Sequence, residues 1–131
     1  MIVLDTHVWI WWTAEPEALS ARARSAIDDA AGSTGLLVSA ISVWEVAMLV
    51  AHGRLELTYD VGAWVARAQS LPYLRFVNVD PELALRSVHL PEYPRRDPAD
   101  RFIVATAIAL DANLVTKDRV MRAYEAVTTI W

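Results

Sequence analysis

Short runs of Val, Ile and Leu alternate along this chain with longer stretches whose apolar residues recur every three or four positions. That alternation is expected of a parallel sheet covered on both faces by helices, because strands buried on two sides need nearly continuous apolar sequence. The runs predict strands at MIVLD (1–5), GLLVSA (35–40), LRFVNV (74–79), NLVTKD (113–118) and VTTIW (127–131). Helices are predicted near 18–31, 42–52, 60–71, 81–88 and 98–112, with a short one after Asp118. The segments AEPEALS, SVWE, DPEL and DPAD fit helix starts, and Gly32, Gly53 and Asn113 fit helix ends. The helix at 98–112 is apolar nearly all round, so it should pack tightly against the sheet. Leu4 and Val115 are expected in adjacent central strands. The fold class is therefore α/β, a three-layer α/β/α arrangement with a central parallel sheet of four to five strands, in one domain over residues 1–131.

Composition narrows the classes. With 55% hydrophobic residues a well-filled core is expected, and disorder is not. Cysteine is absent, which removes disulfides and thiolate metal sites and fits a reducing, cytoplasmic setting. The apolar amino end is interrupted by Asp5 and no basic residue precedes Arg22, unlike a secretory signal. The run Phe102 to Leu110 is too short to span a bilayer core of about 30 Å. The net charge of −4 argues against a broad basic face for nucleic acid, but not against local contacts around an acidic site neutralised by metal.

The acids change the picture most. Asp5 ends the first strand, Glu45 lies just inside the helix after the second, Asp97 and Asp100 open the apolar helix, and Asp118 ends LVTKD. Each has a plain local role. SVWE matches a capping box in which Glu45 folds back onto the Ser42 amide. In DPAD, Asp97 suits the N-cap, Pro98 the first helical position and Asp100 the first turn. Asp5 and Asp118 could each cap the segment after them.

As a group they read differently. In a parallel α/β sheet the carboxyl ends of strands and the amino ends of the following helices share one edge. Asp5, Glu45, Asp100 and Asp118 therefore crowd together, although nearly the whole chain separates the first from the last. Two carboxylates about 4 Å apart repel by roughly 4 kcal/mol at an effective dielectric near 20. Several would raise one another's pKa values or require a cation, and oxygen ligands suit Mg²⁺ or Mn²⁺. Asp97 is assigned mostly to capping. Thr6, Ser39 and Thr116 fall on the same edge and could hold a metal-bound water or a carboxylate, although hydroxyls at strand ends are common.

VLDTHVWIWW, SAISVWEVAML, RDPADRFIVATAIA and LVTKD, in this order, resemble the PIN-domain nucleases, and among them the VapC-like toxins of bacterial toxin–antitoxin pairs. The likeness runs over the whole chain and implies a PIN-like fold. It assigns the catalytic acids as Asp5, Glu45, Asp100 and Asp118. It implies a magnesium-dependent endoribonuclease that arrests growth until its antitoxin occupies the site. Metal held by Asp5, Asp100 and Asp118 would acidify a bound water and polarise the scissile phosphate, leaving a 5′-phosphate and a 3′-hydroxyl. Glu45 would orient that water or hold a second ion. The resemblance also implies a homodimer, a VapB-type antitoxin partner and an RNA substrate, with no membrane involved.

Arg95 and Arg96 are the favoured phosphate contacts, with Arg54, Lys117, Arg119 and Arg122 as further candidates. Arg101 could stabilise transition-state charge or pair with Asp97, and pairing is favoured. His7 could touch substrate, although a hydrogen-bonded histidine at the sheet end is the commoner role. VWIWW cannot turn every indole inward on one helix, so some tryptophans should face solvent, an antitoxin or a second protomer. Two rival classes remain. A phosphoacceptor receiver domain would need paired acids after the first strand and an aspartate after the third, and Asp80 there looks like a helix cap. A non-catalytic module would use the acids for a structural ion or an Arg-rich peptide.

Overall fold

The computed structural model describes residues 1–131. Five parallel strands run in the order β3-β2-β1-β4-β5, with β1 at Ile2–Leu4, β2 at Leu36–Ser39, β3 at Leu74–Val77, β4 at Asn113–Val115 and β5 at Thr129–Ile130. Leu4 pairs with Val115, as expected from the apolar pattern. Alternate residues feed opposite faces. Ile2, Leu4, Leu36, Val38 and Val115 enter one core, while Val3, Leu37 and Leu114 enter the other.

The first core is covered by α1 (Thr6–Ala14), α2 (Ala21–Ala31) and α4 (Val61–Gln69). The second is covered by α5 (Pro81–Val88), α6 (Pro98–Ala109) and α7 (Arg119–Ala123). Helix α3 (Ala40–Ala51) bridges the two, with Val46 in the first core and Ile41 against the second. Trp9 anchors the first core, fully buried, with its ring 4.4 Å from that of Trp64 and edge-on to Phe76. The expected burial of α6 holds, since Ile103, Val104, Ala105 and Ala107 are all inaccessible. No helix is long and apolar enough to cross a membrane.

Several boundaries differ from expectation. Helix α1 lies between the first strand and residue 18, where the apolar pattern marks no bounded helix and only the capping role of Asp5 and the VWIWW run point to one. Its THVWIWWTA sequence is apolar on every side and carries no periodic signature. AEPEALS forms a short 3₁₀ turn at Pro16–Ala18, and Ser20 caps α2 through the amide of Ala23. The capping box at Ser42 is not formed. Helix α3 starts two residues earlier with Ser39 as its cap, which leaves Ser42 inside the helix. Asn113 is in β4, and Asp111 takes the left-handed conformation after α6 (φ 49°). DPEL and DPAD behave as expected, with Asp80 capping α5 and Asp97 capping α6.

The chain moves outward from β1 through β2 to β3, then returns to lay β4 on the other side of β1. The crevice above the carboxyl ends of β1 and β4 is thus the topological switch point, the usual binding place in open α/β sheets. The order also differs from the 2-1-3-4-5 arrangement of receiver domains.

Candidate active site

Asp5 comes directly after β1 and caps α1, its Oδ1 accepting from the Thr6 amide at 2.8 Å. Its other oxygen, Oδ2, accepts from the Thr116 hydroxyl at 2.7 Å. Thr116 lies just past β4, the strand hydrogen-bonded to β1, so sheet register sets this contact across 111 residues of sequence. The Thr116 hydroxyl also accepts from the Asp118 amide at 3.0 Å. Asp118 caps α7, with Oδ1 accepting from Val120 and Met121.

Glu45 is one turn into α3 and reaches Thr6 rather than its own helix start. The Thr6 hydroxyl donates to Glu45 Oε1 at 2.5 Å and lies 2.7 Å from the Ser42 hydroxyl. Thr6 has one proton to give, so Ser42 is the donor to Thr6. Thr6 and Ser42 are both buried. The chain Ser42–Thr6–Glu45 therefore replaces the expected capping box, because the early start of α3 aims Ser42 and Glu45 at α1.

Asp100 sits in the first turn of α6, its amide capped by Asp97 Oδ1. Arg95 Nη1 donates to Asp100 Oδ2 and Asp118 Oδ2, both at 2.6 Å. This double ion pair ties the start of α6 to the start of α7.

The electrostatics record burial first and the neighbouring acids second. Burial pushes Asp5 up to about 6, with the nearby Asp100 charge adding to it and the Thr116 and Thr6 hydrogen bonds opposing it. Burial pushes Glu45 up to about 7, opposed by Thr6 and reinforced by Asp5, Asp100 and Asp97. Asp100 is also raised, by burial against the opposing Arg95. Burial acts upward on Asp118 too, but Arg95 and the α7 amides outweigh it and hold it below the usual range. The hydrogen bonds to Asp100 and Asp118 push Arg95 above its ordinary value.

Four acids from four separate segments thus face one another electrostatically. A closed ligand shell of Asp5, Asp100 and Asp118 is not formed, and no three acidic or histidine side chains converge tightly enough to ligate one ion as they stand. The physical reason is internal. Arg95 already neutralises Asp100 and Asp118, while threonine hydroxyls restrain Asp5 and Glu45. A cation nevertheless lies among these carboxylates, and the donors are all oxygen. Both features fit a hard divalent ion that Asp5, Asp100 and Asp118 would hold.

The remaining expected residues separate clearly. Ser39 is fully buried and its hydroxyl caps α3, so it holds neither a carboxylate nor the site. Arg96 is exposed and touches none of the acids through a hydrogen bond or ion pair. Arg101 does not pair with Asp97. Its guanidinium donates to the carbonyls of Arg95, Ser87 and Tyr93 and packs over the Tyr93 ring, clamping the loop that carries Arg95. That use removes it from phosphate binding. Sequence reading missed two contributors. Ser42 was masked by the apparent capping box. Tyr93 is buried, its hydroxyl has no partner, and burial together with Asp100 raises its pKa. Only its aromatic character within a proline-rich loop hinted at it.

Two clefts flank the acids. One of about 650 Å³ is lined by Glu92, Pro94, Arg95, Arg119, Val120 and Tyr124, among others. The other, about 230 Å³, is lined by Asp5, His7, Val8, Trp11, Lys117 and Asp118.

The PIN domain family model matches residues 2–127. The chain is 41% identical to Ribonuclease VapC22 of Mycobacterium tuberculosis over 132 residues, covering 99% of this chain and 98% of that protein. Among solved structures, VapBC2 from Rickettsia felis bound to a DNA fragment from its promoter gives a TM-score of 0.71 at 16% identity, over 98% of this chain and 97% of the other. A toxin–antitoxin complex from Klebsiella pneumoniae gives 0.62 at 20% identity, over 98% and 97%. At those identities the structural likeness concerns the fold alone.

Proposed function

The chain belongs to the PIN-domain family, in its VapC group, and from that premise we propose that it is a Mg²⁺-dependent endoribonuclease, the toxin of a type II toxin–antitoxin pair. The observation that carries the reading is the electrostatic coupling of acids from separate segments beside the β1/β4 switch point, where burial first and their neighbours' charges second hold Asp5, Glu45 and Asp100 above their ordinary pKa. Isolated capping acids need no such coupling.

Asp5, Asp100 and Asp118 would hold the ion, with Mn²⁺ as an alternative to Mg²⁺. A divalent ion held there would supply Lewis-acid polarisation of the scissile phosphate and lower the pKa of an attacking water. Thr116 keeps Asp5 aimed and largely ionised at neutral pH. Glu45, titrating at about 7 and oriented by Thr6, suits acceptance of a proton from the attacking water. Hydrolysis leaves the water oxygen on the 5′-phosphate and a proton on the 3′-oxygen. Arg95 and Arg119, which line the larger cleft, and the exposed Arg96 would supply cations for the RNA backbone.

A VapB-type antitoxin and a second protomer would cover apolar surface. Trp44 is 54% exposed immediately before Glu45, which supports an aromatic anchor at the rim of the site. Sequencing RNA ends after brief expression in cells tests the activity, with Asp5→Asn as control. New 5′-phosphorylated ends should appear with the native chain and vanish with the variant. Persistence of both cleavage and growth arrest in Asp5→Asn refutes the catalytic assignment.

A further inference from the structure

The cleft of about 230 Å³ beside Asp5 and Asp118 has a composition that the acids do not require. The Trp11 indole lines it, half-buried, with its centroid 6.0 Å from that of Trp131. Lys117 Nζ, the ammonium of the chain's single lysine, lies 5.8 Å from the Trp11 centroid and 5.9 Å from the Trp131 centroid. The exposed His7 ring is 5.8 Å from Trp11 on the cleft side. An ammonium resting on two indoles is held in place without an anionic partner, so its charge remains available to a phosphate. The cleft is smaller than the ~300–1,000 Å³ of sites that enclose drug-sized ligands, and it is open to solvent, which suits one planar ring.

We propose that this cleft is a nucleotide subsite beside the scissile phosphate, in which Trp11 stacks the base of one unpaired nucleotide and Lys117 contacts its phosphate, with His7 closing the stack. The inference rests on the ribonuclease reading, and it adds to that reading a requirement for a single-stranded, base-bearing nucleotide at one fixed position. Duplex RNA keeps its bases stacked on one another and offers none to Trp11. Stacking tolerates any base, so the subsite selects strandedness and distance from the cut more than sequence.

The test combines protein and substrate changes. Cleavage of a short single-stranded RNA is measured for the native chain, Trp11→Ala, Trp11→Phe and Lys117→Met, on substrates carrying one abasic nucleotide at successive positions. One position next to the cut should raise KM for the native chain by ~5–100-fold. Trp11→Ala should raise KM on the intact RNA by a similar factor and be insensitive to that abasic position, whereas Trp11→Phe restores most of the effect. Lys117→Met should lower the salt dependence of binding by about one phosphate contact. Additive effects of Trp11→Ala and every abasic position, as expected of an indole that only packs, overturn the subsite while leaving the ribonuclease reading intact. Absence of RNA cleavage by the native chain overturns that reading and the subsite with it.

Discussion

Thr116→Val removes one hydroxyl from the interior of the site while keeping the branched side-chain shape. The hydroxyl donates to Asp5 Oδ2 and accepts from the Asp118 amide, and Thr116 is fully buried. A hydrogen bond to a charged group contributes about 1.5–3 kcal/mol. At ~1.4 kcal/mol per tenfold, its loss moves Asp5 from about 6 to roughly 7–8. Proton and metal compete for this carboxylate, so the apparent metal affinity weakens by one plus ten to the power of pKa minus pH. At pH 7 that factor is about 1.1 for the native chain and about 2–10 for the variant, and at pH 9 it is close to 1 for both. Calorimetric titration with Mn²⁺ at the two pH values measures it directly. The variant should bind more weakly at pH 7 and recover by pH 9. An equal loss at both, or no loss at pH 7, refutes the argument that Thr116 acts through the ionisation of Asp5.

Arg95→Met should tighten Mn²⁺ binding by about fivefold and lower metal-free stability by about 1 kcal/mol, the modest value fitting a guanidinium that is one-third exposed; weaker binding would mean that Arg95 helps to hold the ion. In EDTA, Asp5 and Glu45 sit at about 6 and about 7 against 3.8 and 4.5 unfolded, so the native state carries the extra protons between about pH 4 and 7 and stability falls as pH rises through that window. Asp5 alone accounts for ~3 kcal/mol and the better-solvated Glu45 for less, while the lowered Asp118 contributes only below this range; urea unfolding that is no weaker at pH 8 than at pH 5 contradicts it. Trp9→Ala, which empties the space against Trp64 and Phe76, should cost about 3–5 kcal/mol in urea unfolding, and a loss well below that would mean the first core can collapse around the gap.

How much was legible depended on whether a signal was local or assembled. The strands were readable because burial on both faces forces continuous apolar runs, and α5 and α6 because Asp80–Pro81 and Asp97–Pro98 are local cap chemistry. Helix α1 was not readable, since Val8, Trp9 and Ile10 bury one side while Trp11 and Trp12 pack at the margin of the same core, leaving no polar stripe to set a period. The acids were read as a group because strand ends share an edge, and the structure couples them electrostatically without bringing three of them to one point. Their partners were not legible. Thr6 bonds Glu45 across 39 positions and Thr116 bonds Asp5 across 111, distances at which only the register of β1 against β4 and the seating of α1 on α3 decide who meets whom. Arg101 failed for the same reason, because three loop carbonyls outcompeted the nearby Asp97.

Capping and chemistry first looked like rival explanations for the same aspartates, but the geometry makes them complementary. A carboxylate has two oxygens. In Asp5 and Asp118, Oδ1 satisfies the free amides at the start of a helix while Oδ2 turns to the centre, toward Thr116 and Arg95 respectively. Asp97 caps α6 so that Asp100, one turn on, is left with Oδ2 on Arg95. The helix start fixes the backbone of the acid and one of its oxygens, so the second oxygen reaches the centre with little rotamer freedom left to lose. A sheet whose strands all end on one edge presents several such half-fixed carboxylates together. Their mutual repulsion is then a property of the fold itself, which Arg95 relieves at Asp100 and Asp118.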